Sequence, residues 1–300
     1  MACIVLLIAL ELFTCGTKDW NVHLQAACSL SLKFGRDPLK KGPSSKTHRL
    51  AMAFFKSVVS WYDIFSCATT GLKPFSTFDE RIDAIVPHVP FEKLMGCEDW
   101  LMRLIHEIAT LGEWKKRIEE SGGLSMVELV RRASNIEARL EDGLAASGNA
   151  NEVMLMDTSI DPAISDAAKA VIKKTTHIFA GAALVYLQVT ISGAYPGIPE
   201  IQRGVSRTMT ALDELDDISM VRNLLWPVCI AGCMATEEYE PYWRDLLSSA
   251  GNERWAFGYP FKILLIMEEC WKLRRSQPGT AVAVDWMTAM KSLDMRLLLV

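Results

Sequence analysis

Three hundred residues, half of them apolar, suffice for one large domain or two small ones around a core that needs no staples. Eight cysteines scattered without a C-x-x-C pair argue against a disulfide framework and fit a reducing compartment. A net charge of -4 and a pI near 5.8 argue against a domain that clamps nucleic-acid phosphates with clustered Lys and Arg.

The chain opens on an apolar run, Met1 to Leu10, without a positive flank and interrupted by Glu11, so it reads as a buried helix beginning at the first residue. It is not read as an export signal, and no stretch offers the roughly 20 apolar residues of a membrane span. Lys33, Arg36, Lys40, Lys41, Lys46, His48 and Arg49 form a basic patch in a segment broken by Gly35, Pro38, Gly42 and Pro43. That composition predicts a solvated loop, with a nuclear-import or nucleic-acid contact as the minority reading. The longest irregular piece runs from Gly71 to Pro90.

Helical periodicity dominates the remainder of the chain. Leu101, Leu104, Ile105, Ile108 and Leu111 form one stripe, and Val205, Thr208, Met209, Leu212 and Leu215 a second. Ile263, Leu264, Met267 and Trp271 form a third, on a helix that starts near Pro260. The segment from Ile178 to Val189 is apolar nearly all round, as a central helix requires. Breaks are expected at Ser121–Gly123, Gly143–Ala150, Ser192–Pro199 and Ser276–Gly279. Ala145 to Val153 is the best candidate for a hinge between an N-terminal half, 1–145, and a C-terminal half, 153–300. In the apolar run Leu225 to Ala235, Pro227 predicts a kink, and Gly232 predicts the close approach of another helix backbone. No run of strict alternation competes with these patterns, so the expected fold is all-α: an irregular multi-helix bundle of packed helix pairs, kinked at Pro227.

Catalytic patterns are sparse. Asp213, Glu214, Asp216 and Asp217 could hold Mg²⁺ against a diphosphate, as in isoprenoid synthases, but no second acidic motif or basic clamp succeeds them, and a solvated helix end accounts for them. Cys229 and Cys233 share a helix face without a histidine or third cysteine nearby in sequence, which favours core packing over metal binding. His106-Glu107 lacks the second histidine of a zinc-protease helix, and the histidines at 23, 48, 88, 106 and 177 are dispersed. Trp20, Trp61, Trp100, Trp114, Trp226 and Trp271 sit in or beside apolar helical pattern and either seal a core or line a small-molecule pocket, core being the default. No residue is assigned as catalytic, DNA-binding or metal-ligating, none is assigned to a ligand, and no cofactor is expected.

Several segments, in order, resemble one family. These are Ile8 to Phe13 with Trp20, His23 and Leu24 beyond it; Trp61 to Phe65; Leu94 to Trp100 with its Gly96-Cys97; Ala182 to Leu187; Pro196 to Ile201; the Trp226-Pro227 run; Ile266 to Trp271; and Asp285-Trp286 with Leu293 to Arg296. Together they look like the regulatory domain of fungal zinc-cluster transcription factors, the second of the two fungal-specific transcription-factor domain types. The resemblance implies a helical regulatory region that lies C-terminal to a six-cysteine zinc cluster. The sequence has no such cluster and no coiled-coil linker, which puts direct DNA reading in doubt, and a helix that begins at Met1 implies that an upstream part of the domain is missing.

What the resemblance implies for residues 1–300 is a single helical regulatory domain of a nuclear transcriptional regulator, controlling a metabolic or secondary-metabolite gene set. It would work through contacts with other transcription factors or the transcription machinery, as a homo- or hetero-dimer, without direct DNA binding by this chain and without a membrane. The alternative from a different class is an all-α small-molecule-binding protein or Mg²⁺-dependent enzyme of isoprenoid-synthase type.

Overall fold

A computed structural model describes residues 2–13, 20–35, 46–75, 89–149, 166–250, 259–276 and 283–300. Among the described residues every regular element is helical: α1 (Ala2–Phe13), α2 (Trp20–Gly35), α3 (Lys46–Thr70), α4 (Phe91–Met95), α5 (Asp99–Glu120) and α6 (Met126–Asn149). Next come α7 (Asp166–Ser192), α8 (Pro199–Asp213), a 3-10 turn (Ile218–Asn223), α9 (Leu225–Cys233), α10 (Glu240–Ala250), α11 (Tyr259–Arg275) and α12 (Trp286–Ser292). The all-α expectation therefore holds.

The middle of α7 is the axis of the bundle. Every residue from Ile178 to Val189 is buried, because α5, α6, α8 and α9 all pack around it. Its lower end is tied to α5, where the Lys115 ammonium donates to the carbonyls of Thr190 and Ile191 at 3.1 and 3.2 Å, satisfying acceptors that the helix terminus leaves open. The seam between α7 and α8 is built from glycine. A Cβ on Gly181 would lie 2.6 Å from Thr208 Oγ1 and 2.8 Å from the Thr208 nitrogen, and one on Gly204 would lie 3.0 Å from the nitrogen of Val185. Neither position has room for a side chain, so the two backbones nearly touch.

The predicted stripes all face inward. Leu101, Leu104, Ile105, Ile108 and Leu111 are buried on α5, and Val205, Thr208 and Leu212 on α8. Pro260 occupies the first turn of α11, where its missing N–H leaves no bond unmade. The bend expected at Pro227 takes the form of a helix start. The chain turns at Leu224 (φ -118°, ψ 30°) between the 3-10 turn and α9, which puts Pro227 in the first turn of α9, among N–H groups that have no intrahelical acceptor.

Three local expectations are corrected. The break at Gly143 to Ala150 does not occur through Asn149, where α6 runs on. Gly143 lies under the indole of Trp100, and a Cβ there would sit 2.5 Å from the ring. The part of the proposed hinge that is described, Ala145 to Asn149, is accordingly helix, and 150–153 fall outside the described residues. At Gly232 it is side chains that approach: a Cβ would meet Met267 Cε at 2.3 Å and Trp243 at 3.3 Å. The first helix is buried on one face only. Val5 and Ile8 enter the core, whereas Leu6, Leu7 and Leu10 keep 66, 43 and 58 % of their surface.

One hydrophobic core runs through the described helices, from Val5 to Leu299. At its centre the Trp226 ring stacks on Phe179 at 6.0 Å and 9°, with Phe65 at 5.4 Å and Tyr186 edge-on at 5.9 Å. Long-range indole hydrogen bonds cross it. Trp20 Nε1 donates to the Arg296 carbonyl at 2.8 Å, and Trp286 Nε1 to that of Thr69 at 3.1 Å. Helices near the two ends of the chain are thereby closed onto each other.

Candidate functional site

The acidic cluster after α8 does not converge on a common point. Asp213 accepts from the Tyr242 hydroxyl at 2.9 Å, Asp216 pairs with Lys174 at 2.7 Å, and Asp217 caps the 3-10 turn through the Ser219 nitrogen at 2.8 Å. The Ser219 hydrogen bonds hold the Asp217 carboxyl below its usual range, and burial together with the Asp213 carboxylate pushes the Tyr242 phenol up. Each of these three carboxylates thus has a protein donor and a structural task. Among the described residues no three His, Cys, Asp or Glu side chains are grouped so as to hold a metal ion.

Cys229 and Cys233 are both fully buried, with their sulfurs 4.0 Å apart. What sequence spacing could not show is that Cys270 of α11 joins them, its thiol hydrogen-bonded with Cys233. Burial pushes the Cys233 thiol well above its ordinary range; for Cys270, also pushed up, the main cause is the hydrogen bond it shares with Cys233, with burial second. Cys233 and Cys270 are thus protonated thiols, and Cys229 is packed in the core beside them. Cys270 donates to the Asp285 carbonyl at 3.1 Å, fastening α11 to the cap of α12.

Most of the singled-out tryptophans are core or core-edge residues. Besides Trp20 and Trp226, Trp271 is buried and donates to the Gly232 carbonyl at 3.0 Å, with the Arg244 guanidinium 5.0 Å over its ring. Trp100 donates to the Glu98 carboxylate, which also accepts from the Ser147 hydroxyl at 2.9 Å, so that the start of α5 is stitched to the end of α6. Trp114 lies under Arg132, and Trp61 leans on Tyr62 with the ring planes 32° apart. His106 is buried on α5, and its neighbour Glu107 takes a two-pronged ion pair from Arg139 of α6 at 2.6 and 2.9 Å. His23 is half-buried on α2. His88 and, of the basic patch, Arg36, Lys40 and Lys41 lie outside the described residues, as do the side chains of Lys33, Lys46, His48 and Arg49.

Among the described residues, two concave regions bear on function, and neither was picked out from the sequence. The larger, about 750 Å³, lies where α6 diverges from the tight α7–α8 pair. Its wall on α8 is the polar face Arg203, Ser206, Arg207 and Thr210, and Arg207 reaches across to Glu141 of α6 at 2.6 Å. His177 lines it from α7. Its enclosed Nε2 has no hydrogen-bond partner, and burial, then the charge of Lys173, lowers the pKa of its imidazole. The smaller cleft, about 310 Å³, is lined by Pro196, Thr236, Glu240, Trp271, Arg274 and Arg275 among others. Buried Glu240 accepts there from Arg275 at 2.5 Å and from Arg244 at 3.1 Å. Arg274 donates to the Val284 carbonyl at 2.5 Å while its enclosed Nε and Nη1 have no acceptor, and burial lowers its pKa. The i, i+3, i+4, i+7 polar spacing on α8 was visible in the sequence; what it faces depended on the course of α6.

Comparison with known proteins adds the biological context. Residues 1–300 match the sequence profile described as "Fungal specific transcription factor domain". Among curated proteins the chain is 31 % identical over 297 residues to the trichothecene biosynthesis transcription regulator of Trichoderma arundinaceum, covering 89 % of this chain and 65 % of that protein. It is 30 % identical to transcription factor ntnD of a Nectria species, covering 92 % of this chain and 46 % of that protein. With transcription factor dibT of Pestalotiopsis microspora the identity is 31 %, over 75 % of this chain and 38 % of that protein. The chain spans between about two fifths and two thirds of the length of these relatives. No solved structure matches it.

Proposed function

The chain belongs to the fungal specific transcription factor domain family, and from that premise we propose that it is the regulatory region of a nuclear transcription regulator controlling a secondary-metabolite gene set through protein contacts. The observation that carries this reading is the match over residues 1–300 joined to relatives whose names tie them to trichothecene biosynthesis and to the ustiloxin B and pestheic acid clusters.

The geometry supports the reading in physical terms. The carboxylates and thiols that would serve chemistry are engaged in caps, ion pairs and core contacts, whereas the outward faces of α1, α6 and α8 present apolar and charged side chains to solvent. A net charge of -4 favours protein partners over nucleic-acid phosphates. The chain therefore acts through surfaces, and DNA reading is supplied by a partner or by sequence outside these 300 residues.

Transcript profiles of a deletion strain, its parent and a complemented strain test the proposal. A coherent set of clustered biosynthetic genes should change on deletion and return on complementation. Profiles that do not differ between deletion and parent would remove it.

A further inference from the structure

We propose that the smaller cleft, enclosed by the turn before α8, the end of α9 and the helices α10 and α11, binds a small organic monocarboxylate, with Arg274 as the cation that receives it. The chemistry of the site stands apart from the regulatory reading, which bears only on its use.

Arg274 is held in the wall of this cleft without a counter-charge of its own. Its Nη2 donates to the Val284 carbonyl at 2.5 Å and meets the Met234 sulfur at 3.3 Å, whereas Nε and Nη1 have no acceptor. The carboxylates that feel its charge are Asp285 and Glu240, and both are committed elsewhere. Asp285 caps α12 through the Thr288 nitrogen and hydroxyl at 2.8 and 2.7 Å, and Glu240 is shared between Arg244 and Arg275. A buried lysine or histidine in such a place sheds its proton, but a guanidinium stays charged, so the mismatch is met only by an anion from outside the wall. The attraction acts on the whole delocalised charge, and an anion on the cleft side therefore offsets it without touching the two sealed nitrogens.

The cleft also limits what that anion is. One unmatched positive charge calls for one negative charge, and Glu240 in the cleft with exposed Glu237 at its rim repels a second. Pro196, Ala235 and the Trp271 ring supply an apolar wall, and about 310 Å³ is at the small end of the range for ligand sites, which fits a compact hydrocarbon body better than a bare inorganic ion. The larger groove along α6 has no such surplus. There Arg207 is matched by Glu141 at 2.6 Å and Arg203 by Glu200 at 3.6 Å.

Thermal melting of the full 300-residue chain tests the assignment, with benzoate, cyclohexanecarboxylate and benzamide titrated at an ionic strength held constant with sodium chloride. Both carboxylates should raise the melting temperature saturably, because a ligand bound only by the folded state stabilises it, and benzamide, of the same shape without the charge, should not. Arg274→Met should raise the half-saturating benzoate concentration more than about 30-fold, as expected when one member of a buried charge pair is lost. Thr236→Phe, which narrows the cleft at its rim, should weaken the response as well, whereas Arg203→Gln in the larger groove should leave it unchanged. The proposal is overturned by the absence of a rise with either carboxylate, by an equal rise with benzamide, or by a benzoate response that survives both cleft variants. A flat melting temperature leaves the regulatory reading standing, whereas unaltered transcript profiles would remove that reading and leave the site.

Discussion

Replacing Gly181 by alanine tests the packing on which the bundle is centred. Considered as a helix residue alone, Gly181→Ala should stabilise, because alanine is about 1 kcal/mol better than glycine in a helix interior. The α7–α8 seam reverses that sign. The new Cβ would lie 2.6 Å from Thr208 Oγ1, 2.8 Å from its nitrogen and 3.1 Å from its Cα. Two of those three atoms are backbone, so no side-chain rotation relieves the contact, and α8 must move away by roughly 0.8 Å to restore ordinary van der Waals spacing, a gap that forfeits a quarter to a half of each dispersion contact along the seam. Overpacking of this kind costs about 1–3 kcal/mol. With the rigid backbone placing it at the upper end, the net destabilisation after the propensity gain is about 2 kcal/mol, or roughly 4 °C in melting temperature for a chain of this size. Gly204→Ala, whose Cβ meets the Val185 nitrogen at 3.0 Å and the Gly181 carbonyl oxygen at 3.1 Å, should act through the same displacement. The double variant should therefore cost less than the sum of the two, as expected for residues sharing one contact. Gly197→Ala, which meets nothing within 4 Å, serves as the control and should be neutral. Urea denaturation monitored by far-UV circular dichroism measures all four. A Gly181→Ala protein that is more stable than the parent would refute the close backbone contact.

The geometry fixes three further outcomes. Because the folded pKa of His177 lies below its unfolded value of 6.5, the unfolded chain binds the proton more readily, so the contribution of His177 to stability is complete above about pH 6.5 and declines as the pH falls below it. His177→Gln should flatten that part of the stability profile, and an imidazole titrating at or above 6.5 by NMR would contradict the assignment. Glu240→Gln strips a buried carboxylate from Arg244 and Arg275; with both guanidinium groups partly in solvent the expected loss is about 1–2 kcal/mol in chemical denaturation, and an unchanged midpoint would show that the pairs contribute nothing. Finally, Mg²⁺ with diphosphate should leave the melting temperature where it is, since Asp213, Asp216 and Asp217 are each bound by Tyr242, Lys174 and Ser219 in divergent directions. A saturable rise would revive the enzyme reading, because a ligand that binds only the folded state stabilises it.

Where one helix face decides burial, local sequence was enough. The stripes at Leu101–Leu111 and Val205–Leu212 and the all-round apolar run Ile178–Val189 are buried as their spacing requires. Glycine and proline were harder, because their meaning depends on what lies opposite. Gly143 reads as a break until Trp100, more than forty positions earlier, is seen to lie on it. Pro227 reads as a kink until the chain is seen to turn just before it. The concave sites were the least legible. The polar face of α8 is written in the spacing of Arg203, Arg207 and Thr210, but that it fronts a groove is set by the divergence of α6. Likewise Cys270 reaches Cys233 only because α9 and α11 pack together.

The proposed role is regulation of transcription through the surfaces of this helical bundle. The most direct measurement tethers the intact 300-residue chain to an unrelated DNA-binding domain upstream of a reporter in a fungal host. Reporter output should depart from that of the DNA-binding domain alone, in either direction, and Gly181→Ala, which loosens the bundle, should weaken the departure. Output identical to that of the DNA-binding domain alone, with the fusion present in the nucleus at equal level, would contradict the account.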